Sequence, residues 1–175
     1  MGIKLMQKDA SQFGLFDDMS KGADLSLDRT YRYSLWRIWD ASKPFVLFIG
    51  LNPSTADERE DDPTIRRCIN FARSWGYGGL YMANLFALRA TDPAEMKSHK
   101  LPVGLGNDDV LLELSKQAGL IVCAWGIHGA HLSREHHVYE LLKTHSLMCL
   151  DITKNGHPKH PLYIKSDTEP KLYVQ

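Results

Sequence analysis

Long apolar runs are missing from this sequence of 175 residues. None approaches the length that crosses a bilayer. The first residues lack the charge-then-apolar order of a secretion signal, so no export is expected either. Cysteine is scarce. Cys68, Cys123 and Cys149 are odd in number, far apart and set in apolar segments. That excludes a disulfide framework and suggests reduced core thiols in a cytoplasmic protein. Net charge is absent as well, with 21 basic against 21 acidic side chains. Such a balance excludes a protein that coats nucleic acid by bulk charge, but not one with a local basic groove. There is no internal repeat, linker or low-complexity run. The length allows one sizeable core. Residues 28–175 are therefore expected to form a single α/β domain, behind a flexible arm over residues 1–27 that shows no sustained periodicity.

What is present alternates between strand and helix patterns. Residues 31–39 (YRYSLWRIW) alternate apolar with polar and suit a half-buried strand. Turn chemistry at residues 40–44 predicts antiparallel pairing with the next apolar run, FVLFIG at 45–50. Pro63 opens a helix with an apolar stripe of Ile65, Cys68, Ile69 and Ala72. Glycines 76, 78 and 79 end it and lead into a second strand, LYMANLFAL. A helix over 108–117, the strand LIVCAW, a helix over 133–143 and a last strand LMCLDI follow. This order predicts a three-layer α/β/α domain. Its centre is a mostly parallel four-stranded sheet, with the N-terminal strand added antiparallel.

In such sheets ligands sit beyond the carboxyl ends of the strands. The four segments there are polar, punctuated by Gly or Pro, and rich in Asn and His. In GLNPST, Pro53 forces Asn52 into an extended conformation at the strand mouth, where its amide can hold a water or a polar ligand. Ser54 and Thr55 can offer hydroxyls to a phosphate or simply cap a helix. In ANLFALRAT, the amide of Asn84 beside the ring of Phe86 suits a flat heterocycle, the ring stacking and the amide giving both donor and acceptor. A core Phe and a strand-end Asn bonded to its own loop read equally well. Arg89 nearby is a phosphate ligand or a solvated charge. In AWGIHGAH, Gly126 allows close backbone approach to a ligand and His128 adds a titratable donor. No Cys pair or His-Glu-x-x-His spacing supports a metal. In NGHPKHPLYI, His157 and His160 are each fixed by a following proline, with Lys159 between them, and can donate to a leaving group or phosphate. The acidic run Asp57, Glu58, Glu60, Asp61 and Asp62 reads mainly as a solvated loop. Asp57 within it is a candidate base, and Asp61 or Asp62 caps the helix at Pro63.

These segments together resemble a family of small bacterial and phage proteins of unknown function, with YRYSLWRIW, LNPSTAD, DDPTIRRC, NLFALRAT and HPLY as the shared signatures. GLNPS, Asn84 in ANLF, Trp125-Gly126 and HPKHPLY also resemble, more distantly, the site motifs of the uracil-DNA glycosylase superfamily. That resemblance implies a uracil-DNA-glycosylase-like fold with its site at the carboxyl ends of four parallel strands. It puts water positioning on Asn52, base reading on Asn84, and the turn histidine on His160 or His157. The stacking aromatic that normally follows the first motif has no equivalent here, and Phe86 stands in for it.

The chemistry implied is hydrolysis of an N-glycosidic bond. An oxocarbenium-like sugar needs only a well-held water, and the departing base needs donors aimed at its developing charge. Asn52, Asp57 and His160 are the expected catalytic set, with no cofactor or metal. The expected substrate is a modified or damaged nucleobase, in DNA or in a nucleotide. The alternatives are a free modified nucleoside or nucleotide, or a protein that binds a base without cleaving it. QFGLF in the arm, through Gln12, Leu15 and Phe16, resembles the peptide that docks bacterial repair proteins on the sliding clamp; a small anchor folding back on the domain is the other reading. A monomer is expected.

Overall fold

The computed structural model describes residues 20–175. Its core is a seven-stranded sheet with strands β1 (Ser20–Leu25), β2 (Arg32–Ile38), β3 (Phe45–Gly50), β4 (Gly79–Asn84), β5 (Leu120–Cys123), β6 (Leu147–Cys149) and β7 (Lys171–Leu172). The spatial order is β1-β2-β4-β3-β5-β6-β7. The central four, β4, β3, β5 and β6, run parallel, while β1, β2 and β7 are added antiparallel at the edges. This is a mixed α/β fold with a mostly parallel centre. β3 sits in the middle, and Val46 to Gly50 are all buried, as expected for a strand covered on both faces.

Helix α1 (Pro63–Ser74) starts where Asp62 accepts from the Ile65 amide and Pro63 presets the first turn. It buries Ile65, Cys68, Phe71 and Ala72 against Val46, Phe48, Leu80 and Val122. Gly76, at φ 82°, takes the left-handed position that ends it. Leu47 and Ile49, on the other face of β3, pack with α2 (Pro93–Ser98), α3 (Asn107–Gln117) and α4 (Arg134–Leu141) through Met96, Leu111 and Val138. All three cysteines are buried and free. No helix among the described residues is long and apolar enough to cross a membrane.

Three expectations need correction. β2 does not pair with β3; it pairs antiparallel with β4, which lies between them. The turn at residues 40–44 bridges the start of β4 instead of closing a tight hairpin. Trp39 and Asp40 both donate to the Gly78 carbonyl at 2.9 Å, and Gly78 donates to Pro44 at 2.9 Å. Only glycine fits at 78, since a Cβ there would lie 2.0 Å from the Asp40 carbonyl oxygen. Second, the last part of the stretch read as an arm, Ser20–Leu25, is strand β1, paired with β2. Gly22 makes this possible by letting the Trp36 ring lie against its backbone. Third, the strand expected over LMCLDI is only Leu147–Cys149, and the chain beyond it turns back through a bridge between Ile152 and Pro158 before β7.

Candidate functional site

A cavity of about 590 Å³ opens at the carboxyl ends of β3, β4, β5 and β6. All four polar turns contribute to its wall. From the first come Asn52 and Ser54, from the second Asn84, from the third Gly126 and His128, and from the fourth Lys159 and His160. Its volume is that of a site for a small organic ligand.

Asn84 ends β4 and is 4% exposed. Its Oδ1 is sealed from solvent and accepts no hydrogen bond within the described protein. The amide lies on the backbone of Gly50, where an added Cβ would stand 2.8 Å from Nδ2. This explains why β3 ends in glycine. The backbone around Asn84 is rigidly held: buried Asn107 donates to the carbonyls of Asn84 and Leu85 at 2.9 and 3.1 Å, and Arg134 Nε donates to Leu85 at 2.8 Å. The neutral donor-acceptor group is thus fixed in position and left free at its tip.

Asn52 is placed differently from Asn84. Its Nδ2 donates to the carbonyls of Ala90 at 2.8 Å and Pro53 at 3.0 Å, tying the first turn to the second. Only Oδ1 remains for a ligand or water. His160 begins the short turn Pro161–Tyr163 and accepts from the Leu162 amide through Nδ1 at 3.3 Å. A neutral imidazole so bonded carries its proton on Nε2. Burial pushes the His160 pKa down, with the Asp62 carboxylate opposing this more weakly. His128 accepts from Lys97 Nζ at 2.8 Å, and burial followed by the Lys97 charge lowers its pKa too. Lys159 lines the cavity but is paired with Asp151 at 2.7 Å. Gly126 lines it as well, yet its amide donates to the Pro158 carbonyl at 2.8 Å and is not free for a ligand.

Five expected residues do not reach the cavity. Phe86 is fully buried on the α3–α4 side, its ring 5.7 Å from His131. Asp57 folds into its own loop, Oδ1 accepting from the amides of Arg59 and Glu60 at 2.8 and 2.9 Å. His157 turns away to Glu135 at 3.0 Å, and the same carboxylate oxygen accepts from Trp125 Nε1 at 2.9 Å. Thr55 is exposed, and Arg89 donates to the Arg29 carbonyl at 3.3 Å. Gln12, Leu15 and Phe16 lie outside the described residues.

The cavity has polar walls that were not expected. Asp62, read only as a helix cap, is that cap and a cavity residue too. Thr64 and Thr153 add hydroxyls. Arg32, at the start of β2, is 2% exposed and forms part of the wall. A charged residue flanked by tyrosines at a strand start gives no sign of this in the sequence; the position of Asp62, just before a helix that begins at a strand mouth, does. The aromatic and apolar lining comes from Trp125, Met82 and Ile65, and Ile127, Leu162 and Tyr163 stand exposed at the rim. Among the described residues no three His, Cys, Asp or Glu side chains are grouped to hold a metal ion.

Comparison with characterised proteins and with solved structures returns no match. A family described as proteins of unknown function, DUF1643, matches residues 32–162, a span that runs from Arg32 to Leu162 and takes in every cavity residue except Tyr163. The chain belongs to that family.

Proposed function

We propose that the cavity binds a nucleobase, modified or damaged, and that the protein hydrolyses its N-glycosidic bond in the manner of a DNA glycosylase. The observation that carries this reading is the Asn84 amide, buried at a strand end with its oxygen unpartnered. An orphaned buried amide is costly unless a ligand with complementary donor and acceptor completes it. A base edge has that complement, and Trp125 and Met82 provide apolar wall for its faces.

The chemistry uses residues that share the cavity. Asn52 Oδ1 and the Asp62 carboxylate are the acceptors available to hold a water against the anomeric carbon. Asp62 replaces Asp57 in this role, because Asp57 lies in another part of the loop. The proton on His160 Nε2 and the Asn84 amide face the leaving base and offset its developing charge. Leu162 and Tyr163, exposed on a proline-fixed turn at the rim, are placed to fill the gap left by a base extruded from DNA. A free nucleotide is the second reading, favoured by the zero net charge and by the buried cation Arg32.

The test is a single-turnover screen of oligonucleotides and nucleotides carrying uracil, hypoxanthine, xanthine, and hydroxymethylated or glycosylated pyrimidines, with free base as the readout. Release of one base, lost in Asn84→Ala and in Asn52→Ala, is the expected result. Release that survives Asn84→Ala would remove the basis of the proposal.

A further inference from the structure

Base reading leaves Arg32 without a role. Simple alternation along β2 would put Arg32 on the opposite face from Leu35 and Arg37. The pairing with β1 slips: Asp24 faces Ser34 but Leu25 faces Arg32, so Tyr33 is an extra residue. Arg32 is thereby turned to the α1 side, where it donates to the Ala56 carbonyl at 2.8 Å. Arg37 meets the neighbouring carbonyls of Asp57 and Glu60 on that same side. A bulge of this kind re-aims one side chain and is frequent beside functional sites.

The cation so placed is under-coordinated. Nη1 is taken by Ala56, and Nε is sealed with no acceptor. Arg37 next to it has an ion pair with Asp61 at 2.8 Å; Arg32 has none among the described residues. Asp62 compensates only at longer range, its two oxygens already accepting from the Ile65 and Ala56 amides. Burial lowers the Arg32 pKa to about 10, which still leaves it charged at neutral pH. A buried charge with so little compensation is unfavourable until a partner completes it. Ser54 and Thr64 also line the cavity, and neither hydroxyl bonds to another described residue.

We propose that Arg32, with the Ser54 and Thr64 hydroxyls, is a subsite for a phosphate monoester; this deepens the second reading above, a free nucleotide whose base lies against Asn84, and competes with the DNA reading. The placement of the base rests on the base-binding reading; the anion subsite does not. A guanidinium matches phosphate oxygens in planar, paired geometry. Depth selects the monoester. Arg32 is 2% exposed, so the phosphate must enter the wall, whereas each phosphate of a DNA strand continues into chain on both sides. Asp62 faces the same space and opposes a dianion, and the two amides it accepts from offset part of that charge. Arg32 positions the substrate and takes no part in bond cleavage.

The test is calorimetric titration with inorganic phosphate, with uridine, inosine and xanthosine, with their 5′-monophosphates, and with a single-stranded oligonucleotide. At least one monophosphate should bind about tenfold or more tighter than its nucleoside. In Arg32→Met that gap should close while nucleoside binding persists, and in Asn84→Ala both affinities should fall with the gap intact. Phosphate that binds in an Arg32-dependent way while no nucleoside binds would refute the base reading and keep the subsite. Equal affinity for nucleoside and monophosphate, or a gap that survives Arg32→Met, overturns the proposal. So does an oligonucleotide that binds more tightly than every monophosphate through Arg32, or the absence of phosphate binding at millimolar concentration. Should Arg32→Met misfold by near-ultraviolet circular dichroism, the double variant Ser54→Ala, Thr64→Val decides: a narrowed gap supports the subsite and an unchanged gap refutes it.

Discussion

On the β5–β6 side of the cavity, Glu135 accepts from Trp125 Nε1 at 2.9 Å and pairs with His157 at 3.0 Å, while Asp151 holds Lys159 and Lys171 at 2.7 and 2.8 Å. On the β2–β4 side, Asn84 Oδ1 and Arg32 Nε are sealed from water with no partner among the described residues. Both walls carry buried or half-buried polar side chains. The difference lies in where the polar groups end. Groups that meet each other fix the wall, and a buried group left unmet is destabilising until something else meets it. On the proposed reading the ligand makes its polar contacts to the unmet groups of the β2–β4 side, and the β5–β6 side holds the rest of the wall in place.

The strongest way to break this comparison is to remove an unmet group. Asn84→Leu is expected to lower turnover or ligand affinity by about a hundredfold or more, since a site built for polar contacts is then left incomplete. The melting temperature should stay level or rise, because the amide has no partner among the described residues to lose. Single-turnover rates and a thermal scan test both halves. A marked drop in melting temperature would mean that Asn84 serves the fold, and the contrast between the walls would fail.

Glu135→Ala is the reciprocal experiment. The Glu135 side chain is 12% exposed and serves buried Trp125 and half-buried His157, so its loss is expected to cost about 2 kcal/mol of unfolding free energy. Urea denaturation reads this directly. Glu135→Gln keeps an acceptor for Trp125 and should recover part of the loss. Near-zero cost in both variants would show the β5–β6 wall to be no better satisfied in solution than the other.

Much of this arrangement was legible in the sequence. Apolar runs and their order locate the parallel strands, and parallel strands put all their following turns on one edge, so Asn52, Asn84, His128 and His160 fall together. What was not legible depends on contacts distant in sequence. Arg32 is turned inward by a register slip against β1, a strand too weakly patterned to be recognised. Phe86, two residues past Asn84, was expected to share its face. The strand ends at Asn84, and the Leu85 and Phe86 amides bond to the Gly50 and Leu51 carbonyls, which carries the ring into the other core. In the acidic run, composition says nothing about which member faces the cavity. That depends on the loop closing on Asp57 and on helix α1 beginning at Asp62.

A smaller effect sharpens the comparison at the edge between the walls, where His160 sits. Its folded pKa is lowered, chiefly by burial, below the ordinary 6.5, so the unfolded chain takes up the proton first as pH falls. The stability tied to the neutral ring is fully present above 6.5 and is lost as pH falls through the folded value. Urea midpoints measured from about pH 7 down to about pH 5 should therefore decline, and less steeply in His160→Asn. His128, also lowered, contributes in the same direction and remains in the variant. An identical slope in variant and wild type would place the His160 ring in a more solvated position than its burial indicates.

The least effect is expected from Asp57→Asn, and the contrast with Asp62→Asn makes it informative. Asp57 lies in the same acidic run and carries the pKa-lowering bonds of a turn, from the Glu60 and Arg59 amides first and the Arg29 charge after. An asparagine side-chain oxygen accepts the same two amides, so the turn should persist. If the cavity chemistry runs through Asp62, Asp57→Asn leaves turnover unchanged and Asp62→Asn reduces it, although asparagine caps a helix about as well as aspartate. The second substitution keeps the cap to the Ile65 amide and removes the carboxylate charge from the cavity, together with the long 3.4 Å contact from the Ala56 amide. The opposite result, turnover lost at 57 and kept at 62, would move the reacting water out of the cavity and toward the exposed loop.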